Sequence, residues 1–197
     1  MDQLSGKDCS RLAALHCECL QDSLVSELGL SYAKAFYRYV SRSPEEKVFV
    51  VREDGEVASG CVLSLRPKTL RQRLLLHTPL LLYAAPWFLR KFSKRTPKPV
   101  AEPKSGPLGD PVPDRKPELI LIFTAQASRS RGTGAALLAQ CEQFLLARGD
   151  PEYFVRTVDQ ESNRALKFYL KNGFVAIGQS SGHGRTFRVF KKTIAQS

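Results

Sequence analysis

Residues 118–138 read ELILIFTAQASRSRGTGAALL, and no other run in the chain restricts the fold so strongly. The first seven residues form a compact apolar stretch that predicts a buried β-strand. From about residue 132 the pattern becomes helical and continues to about residue 148, where Gly149-Asp150-Pro151 predicts its end. Between strand and helix lies Arg129-Ser130-Arg131-Gly132-Thr133-Gly134. Its glycines remove side chains and leave backbone N–H groups free at a helix N-terminus. Free amides and the positive end of the helix dipole suit a pyrophosphate, and Arg129 and Arg131 add charge-assisted contacts. Glycines at these positions also serve an ordinary tight turn. The turn lacks the Gly-Lys-Ser/Thr ending of a P-loop and the GxGxxG spacing of a dinucleotide fingerprint, so both of those nucleotide classes are excluded.

The remainder of the chain supplies the other layers. Leu12, Leu15, Cys19 and Leu20 share one helical face, and Tyr32, Ala35, Phe36, Tyr39 and Val40 share another, so two amphipathic helices are expected before Pro44. Two β-rich runs follow at 47–52 and 57–65, joined by Glu53-Asp54-Gly55-Glu56, in which Asp-Gly is a strong hairpin signal. Past the central helix, 153–158 reads as a strand and 162–171 as a helix stopped at Asn172-Gly173. Residues 174–179 and 185–191 read as a closing hairpin. The fold class is α/β, with a mixed sheet. A strand, crossover helix and strand place a parallel pair at its centre, with antiparallel strands outside.

A chain of 197 residues is long enough for one sizeable core and short for two, so a single domain over 1–197 is expected. Five cysteines without CxxC spacing point to reduced, mostly buried thiols, with no structural metal. The N-terminus has no apolar run behind a basic start, which favours a cytoplasmic protein. Of the net charge of +11, residues 66–117 carry +9, from twelve Lys/Arg against three Asp/Glu. This concentration argues against a nucleic-acid partner and for one anionic contact, either a phosphorylated small molecule or an anionic membrane surface touched peripherally. A solvated basic loop is the plain alternative. The same insertion holds an apolar stretch, 74–89, with the chain's only tryptophan, Trp87, and a proline-rich tail, 97–117, expected to be mobile. The stretch is short for a membrane span and contains His77, Pro79 and Pro86, leaving a buried or groove-forming helix or an interfacial one.

Two motifs together make the chain resemble the GNAT superfamily of acyl-CoA-dependent N-acyltransferases. Arg129, Gly132 and Gly134 match that family's (Q/R)xxGx(G/A) turn, followed by Ala135 to Leu138. Ala165, Tyr169, Gly173 and Phe174 match its AxxxYxxxGF helix end. The resemblance covers most of the chain outside 66–117. It implies a mostly antiparallel sheet with a splayed parallel pair, and acetyl-CoA, or a close acyl-CoA relative, as co-substrate. The chain also departs from the pattern. Ser162, with Asn163 beside it, stands where asparagine is common and is expected to cap the helix, Gln126 replaces a common proline, and only residues 1–4 are left for a first strand.

The resemblance also assigns roles. Backbone amides of Ile122, Phe123 and Thr124 are expected to hold the thioester carbonyl and pantetheine. Residues 129–135 (Arg129, Ser130, Arg131, Gly132, Thr133, Gly134, Ala135) are expected to hold the pyrophosphate, with Ser162 nearby. Gly134→Asp would therefore place a charge in the cradle. Tyr169 is expected to hydrogen-bond or protonate the leaving sulfur, and its alternative is packing on a helix face beside Phe168. Glu118, eleven residues before Arg129, is the expected base for an ammonium of pKa about 10. Period-two alternation puts it on one face with Ile120, Ile122 and Thr124. An ion pair with Lys116 or Arg115, leaving water to take the proton, is its alternative. His183 is a lesser candidate, and His16 and His77 read as helix-face residues. The acceptor is expected to be the primary amine of a small, anionic or amino-sugar molecule. The other readings are a peptide acetyltransferase, or an acyl-CoA sensor or membrane-docked scaffold without turnover.

Overall fold

A computed structural model describes residues 4–77, 111–182 and 185–195. Six strands form one sheet in the order β1-β2-β3-β4-β6-β5. β1 (Glu46–Glu53) and β2 (Glu56–Ser64) are the expected hairpin. Its turn needs left-handed backbone twice in succession, at Asp54 (φ 50°) and Gly55 (φ 80°), which is the conformation that makes Asp-Gly the favoured pair. β3 (Glu118–Thr124) pairs antiparallel with β2 and parallel with β4 (Glu152–Val158). β6 (Arg185–Thr193) lies between β4 and the edge strand β5 (Val175–Gly182), antiparallel to both.

Helices cover both faces. α1 (Gly6–Cys19), α2 (Leu24–Glu27) and α3 (Leu30–Val40) pack on the face carrying Val48, Val62 and Phe123. Ser5 caps α1 through a complete capping box with Asp8. The face α3 buries is turned from the expected one, since Ala33 and Tyr37 are fully buried while Ala35 and Tyr39 are only partly so. α5 (Thr133–Ala147) and α6 (Arg164–Lys171) cover the other face against Cys61, Leu63, Leu119, Val155 and Phe190. α4 (Pro67–Leu76) opens the insertion, and Leu70 is its buried residue.

Several expectations change on contact with the structure. The region 97–117 is not loose throughout. Val112 is fully buried against Phe154 and Val189 of the sheet. Among the described residues no strand precedes β1, and Leu4 is irregular. Trp87, His183 and most of the stretch 74–89 lie outside the described residues. Among the described residues no helix is long and apolar enough to cross a membrane.

His16, on α1, is a core residue. It is fully buried, with Nδ1 2.8 Å from the Tyr37 hydroxyl and Nε2 2.7 Å from Ser23 Oγ. Burial lowers its pKa from 6.5 to about 4. The unfolded chain therefore binds a proton near pH 6.5 that the folded chain refuses until about pH 4. Stability from this group is complete above that window and is lost as pH falls through it. Between pH 7 and 5 the loss amounts to about 2 kcal/mol. Urea unfolding at the two pH values should show that His16→Gln removes this difference; equal pH dependence in both proteins would disprove the assignment.

Candidate active site

The loop after β3 is tied down on both sides. A single 3-10 turn, Gln126–Ser128, leads to Arg129, whose Nε donates to the Thr124 carbonyl at 3.3 Å. Ser128 Oγ donates to Glu53 Oε2 at 2.7 Å, and Arg131 lies 3.7 Å from the same carboxylate. Ser130 (φ 64°) and Gly132 (φ 80°) both adopt left-handed backbone. Gly132 is the N-cap of α5, and a Cβ there would meet nothing within 4 Å. Glycine at this position thus serves the backbone turn and leaves the approach open. No side chain caps α5, and no acidic residue lies in its first turn. The first N–H groups of the helix, from Thr133 to Ala135, have no intrahelical acceptor, and Arg129, Arg131, Gly132 and Ala135 around them are exposed.

Gly134 has a packing role besides the one expected. A Cβ at that position would lie 3.0 and 3.1 Å from ring carbons of Phe168, so this glycine lets α6 approach α5. Gly134→Asp would therefore disturb packing before it tested the cradle. Ala135→Asp is the cleaner test. The position is exposed in the first turn, where a carboxylate favours the helix by about 0.5 kcal/mol. The melting temperature should hold or rise while affinity for acetyl-CoA falls at least tenfold by calorimetry. Unchanged affinity would remove the pyrophosphate from this turn.

The centre of the sheet is opened by two irregularities. β3 and β4 pair only at Glu118↔Phe154 and Leu119↔Val155, then diverge. From Ile120 onward the β3 edge carrying Ile122, Phe123 and Thr124 has no ladder partner on β4. On the β2 side, Leu63 opposes Leu119 and Val62 opposes Leu121, so Ile120 is the extra residue of a β-bulge. The bulge corrects the expected alternation. Leu119 and Ile122 share the α5 face, while Leu121 and Phe123 pack with α1 and α3. Glu118 opposes Ser64 and so belongs with Leu121 and Phe123, on the opposite side from Ile122 and Thr124.

Glu118 is 6% exposed, and its Oε1 lies 3.1 Å from Arg156 Nε on β4. Lys116, an expected partner, pairs instead with Glu152 at 2.9 Å. Ser64, directly opposite Glu118, donates to Glu46 Oε1 at 3.0 Å. Glu46 is 1% exposed and also accepts from Ser43 and pairs with Arg73 of α4. A polar row, Glu46-Ser64-Glu118, thus crosses three strands on the face beneath the N-terminal helices.

Tyr169 is 4% exposed among Phe168, Phe174 and Phe190, with ring centroids 5.4, 5.2 and 5.9 Å away. Among the described residues its hydroxyl makes no hydrogen bond. Burial raises its phenol well above the ordinary range. The cap of α6 is Asn163, whose Oδ1 accepts from the Ala165 N–H at 3.0 Å and whose amide donates to Thr157 and Val158. Ser162 is exposed and stands one residue before the cap, so the expected capping serine is displaced by its neighbour.

Residues 11–174 match the profile of the Acetyltransferase (GNAT) family. The chain belongs to that family. Solved structures with the same fold include a Desulfovibrio desulfuricans protein assigned to the GNAT family, at TM-score 0.62 and 15% identity, with 98% of this chain and 96% of that one covered. Another is the ribosomal-protein-S18-alanine N-acetyltransferase of Escherichia coli, at TM-score 0.60 and 11% identity, covering 100% and 94%. The PaiA N-acetyltransferase of Thermoplasma acidophilum, solved in complex with coenzyme A, aligns at TM-score 0.54 and 13% identity over 98% and 96%. A search of curated protein sequences returned no match.

Sequence reasoning passed over Arg156, Ser64, Glu46 and Arg73 in this GNAT chain. Their meaning depends on strand register. Arg156 is a neighbour of Glu118 only because β4 runs parallel to β3 with Phe154 opposite Glu118.

Proposed function

We infer that the chain transfers an acetyl group from acetyl-CoA to the primary amine of a small acceptor by direct attack in a ternary complex. The observation that carries this reading is the open N-terminus of α5, uncapped and flanked by Arg129 and Arg131, at the mouth of the β3/β4 splay. The residues present fit the co-substrate. The N–H groups from Gly132 to Ala135 would hold the pyrophosphate, and the free β3 edge at Ile122, Phe123 and Thr124 would pair with pantetheine and orient the carbonyl.

Acetyl-CoA supplies an electrophilic thioester with a thiolate leaving group. On the acceptor side, Glu118 takes a proton from the incoming ammonium, and Arg156 holds its carboxylate in place. Tyr169 acts on the sulfur. A phenol raised above its ordinary pKa is a weak proton donor but remains a hydrogen-bond donor throughout, so its role is to stabilise the departing thiolate, and the second proton that the nitrogen sheds after attack goes, through solvent, to that sulfur. The bulge separates these tasks, since it turns Glu118 to the face of α1 and α3 while Ile122 and Thr124 stay on the α5 side.

Thiol release from acetyl-CoA against amino sugars, anionic amines, polyamines and peptides tests the reading. Release with a small amine at a saturable rate is expected. Tight acetyl-CoA binding with no release against any amine would mark a sensor, and release with peptides alone would mark a peptide acetyltransferase.

A further inference from the structure

A cavity of about 500 Å³ lies between the C-terminal half of α3, the link to β1, and α4. Ala35, Arg38, Tyr39 and Arg42 follow one another at i, i+3, i+4 and i+7, so α3 and the residues after it present one continuous strip to the cavity. Arg73 and His77 face it from α4 and its C-cap. Its walls are therefore an apolar body, including the Tyr39 ring with His77 against it at 4.8 Å between centroids, set among three guanidinium groups.

The charges do not balance internally. Glu45 pairs with Arg66 at 3.4 Å, and Glu46 pairs with Arg73. Among the described residues no carboxylate pairs with Arg38 or Arg42. Among the described residues, the buried atoms Arg73 Nε and His77 Nδ1 make no hydrogen bond. Arg38 and Arg42, exposed at the cavity and with no paired carboxylate among the described residues, leave it a surplus of positive charge and of guanidinium donors that suits an oxyanion.

The position is as telling as the charge. Arg73 reaches Glu46, which begins the polar row through Ser64 to Glu118. Adjacent strands are about 4.8 Å apart, so Glu46, which Arg73 reaches from the cavity wall, and Glu118 lie about 10 Å apart on the same face of the sheet. A molecule with an anion at one end and an amine at the other, about one ring apart, spans that distance.

We propose that this cavity binds an oxyanion, phosphate or carboxylate, carried by the acceptor at the end remote from its amine, and so selects anionic amines. The proposal rests on the acetyl-transfer reading and names the acceptor class for it.

Matched amines test it on the full chain. Glucosamine is compared with glucosamine 6-phosphate, and tyramine with its O-phosphate and with 4-(2-aminoethyl)benzoate. At least one anionic member should exceed its neutral parent in kcat/KM tenfold or more. The phosphate and carboxylate arms tell which oxyanion is preferred. Arg38 and Arg42 are exposed, so the double variant Arg38→Gln/Arg42→Gln should fold and should erase the preference. Lys167→Gln, on the exposed side of α6, should keep it.

A second readout needs no turnover. Phenyl phosphate titrated into the protein saturated with free coenzyme A should shift the His77 ring resonances, and the double variant should raise its Kd at least tenfold. Equal kcat/KM for neutral and anionic partners overturns the proposal, as does phenyl phosphate binding that is indifferent to the two arginines. Should phenyl phosphate bind through Arg38 and Arg42 while no amine releases thiol, the anion site stands and the acetyl-transfer reading falls.

Discussion

Glu118→Gln should lower kcat/KM for the amine acceptor by about 10³-fold, within the range of a positioned general base. The residual activity should climb with pH, because only the free amine fraction can then react. In the variant the acid limb of the pH profile should move towards the acceptor's own pKa, about 10. One structural confound is visible in advance. Glu118 and Arg156 form a largely buried ion pair, and removing one partner of such a pair costs about 3–5 kcal/mol. Arg156→Met is the control, since it breaks the same pair and keeps the carboxylate. If both variants lose activity equally and neither moves the pH profile, Glu118 positions the site and water takes the proton.

Tyr169→Phe should lower kcat by about 10²-fold with acetyl-CoA affinity nearly unchanged. Stability should hardly move, because among the described residues the hydroxyl has no hydrogen bond to lose and the ring keeps its contacts with Phe168, Phe174 and Phe190. That combination separates chemistry from packing. A residue that only filled the aromatic cluster would give a Phe variant of normal kcat. An acyl donor with a more acidic leaving thiol should recover part of the loss, since a better leaving group has less need of the phenol. A kcat within a factor of about two of the original would reduce Tyr169 to a packing residue.

Much of the fold was legible because its signals are local. β3 occupies 118–124 as its apolar run predicts, and the Asp54-Gly55 turn, the helix start after Gly132 and the helix stop at Asn172-Gly173 are written in residues that are neighbours in the chain. The candidate site was legible at the level of identity, since Arg129, Gly132, Tyr169 and Glu118 could all be picked out by motif and spacing. Their surroundings could not. Period-two alternation put Glu118 on the face of Ile122 and Thr124, and one extra residue at Ile120 reversed this. Gly134 reads from the sequence only as part of an anion cradle, and its packing against Phe168, 34 residues away, is visible only in the structure.

The sequence by itself determined the order of elements, the strand-turn-helix with its exposed amides, and the two motifs that place the chain among GNAT acetyltransferases. Each depends on propensities and turn geometry within a few residues. The tertiary structure alone decided which face Glu118 looks toward, that Arg156 is its partner, that Val112 packs against the sheet, and that Arg38, Arg42, Arg73 and His77 converge on one cavity. Register, bulges and long-range ion pairs bring these groups together across tens of residues, and no periodicity in the chain encodes a distance between strands that have not yet paired.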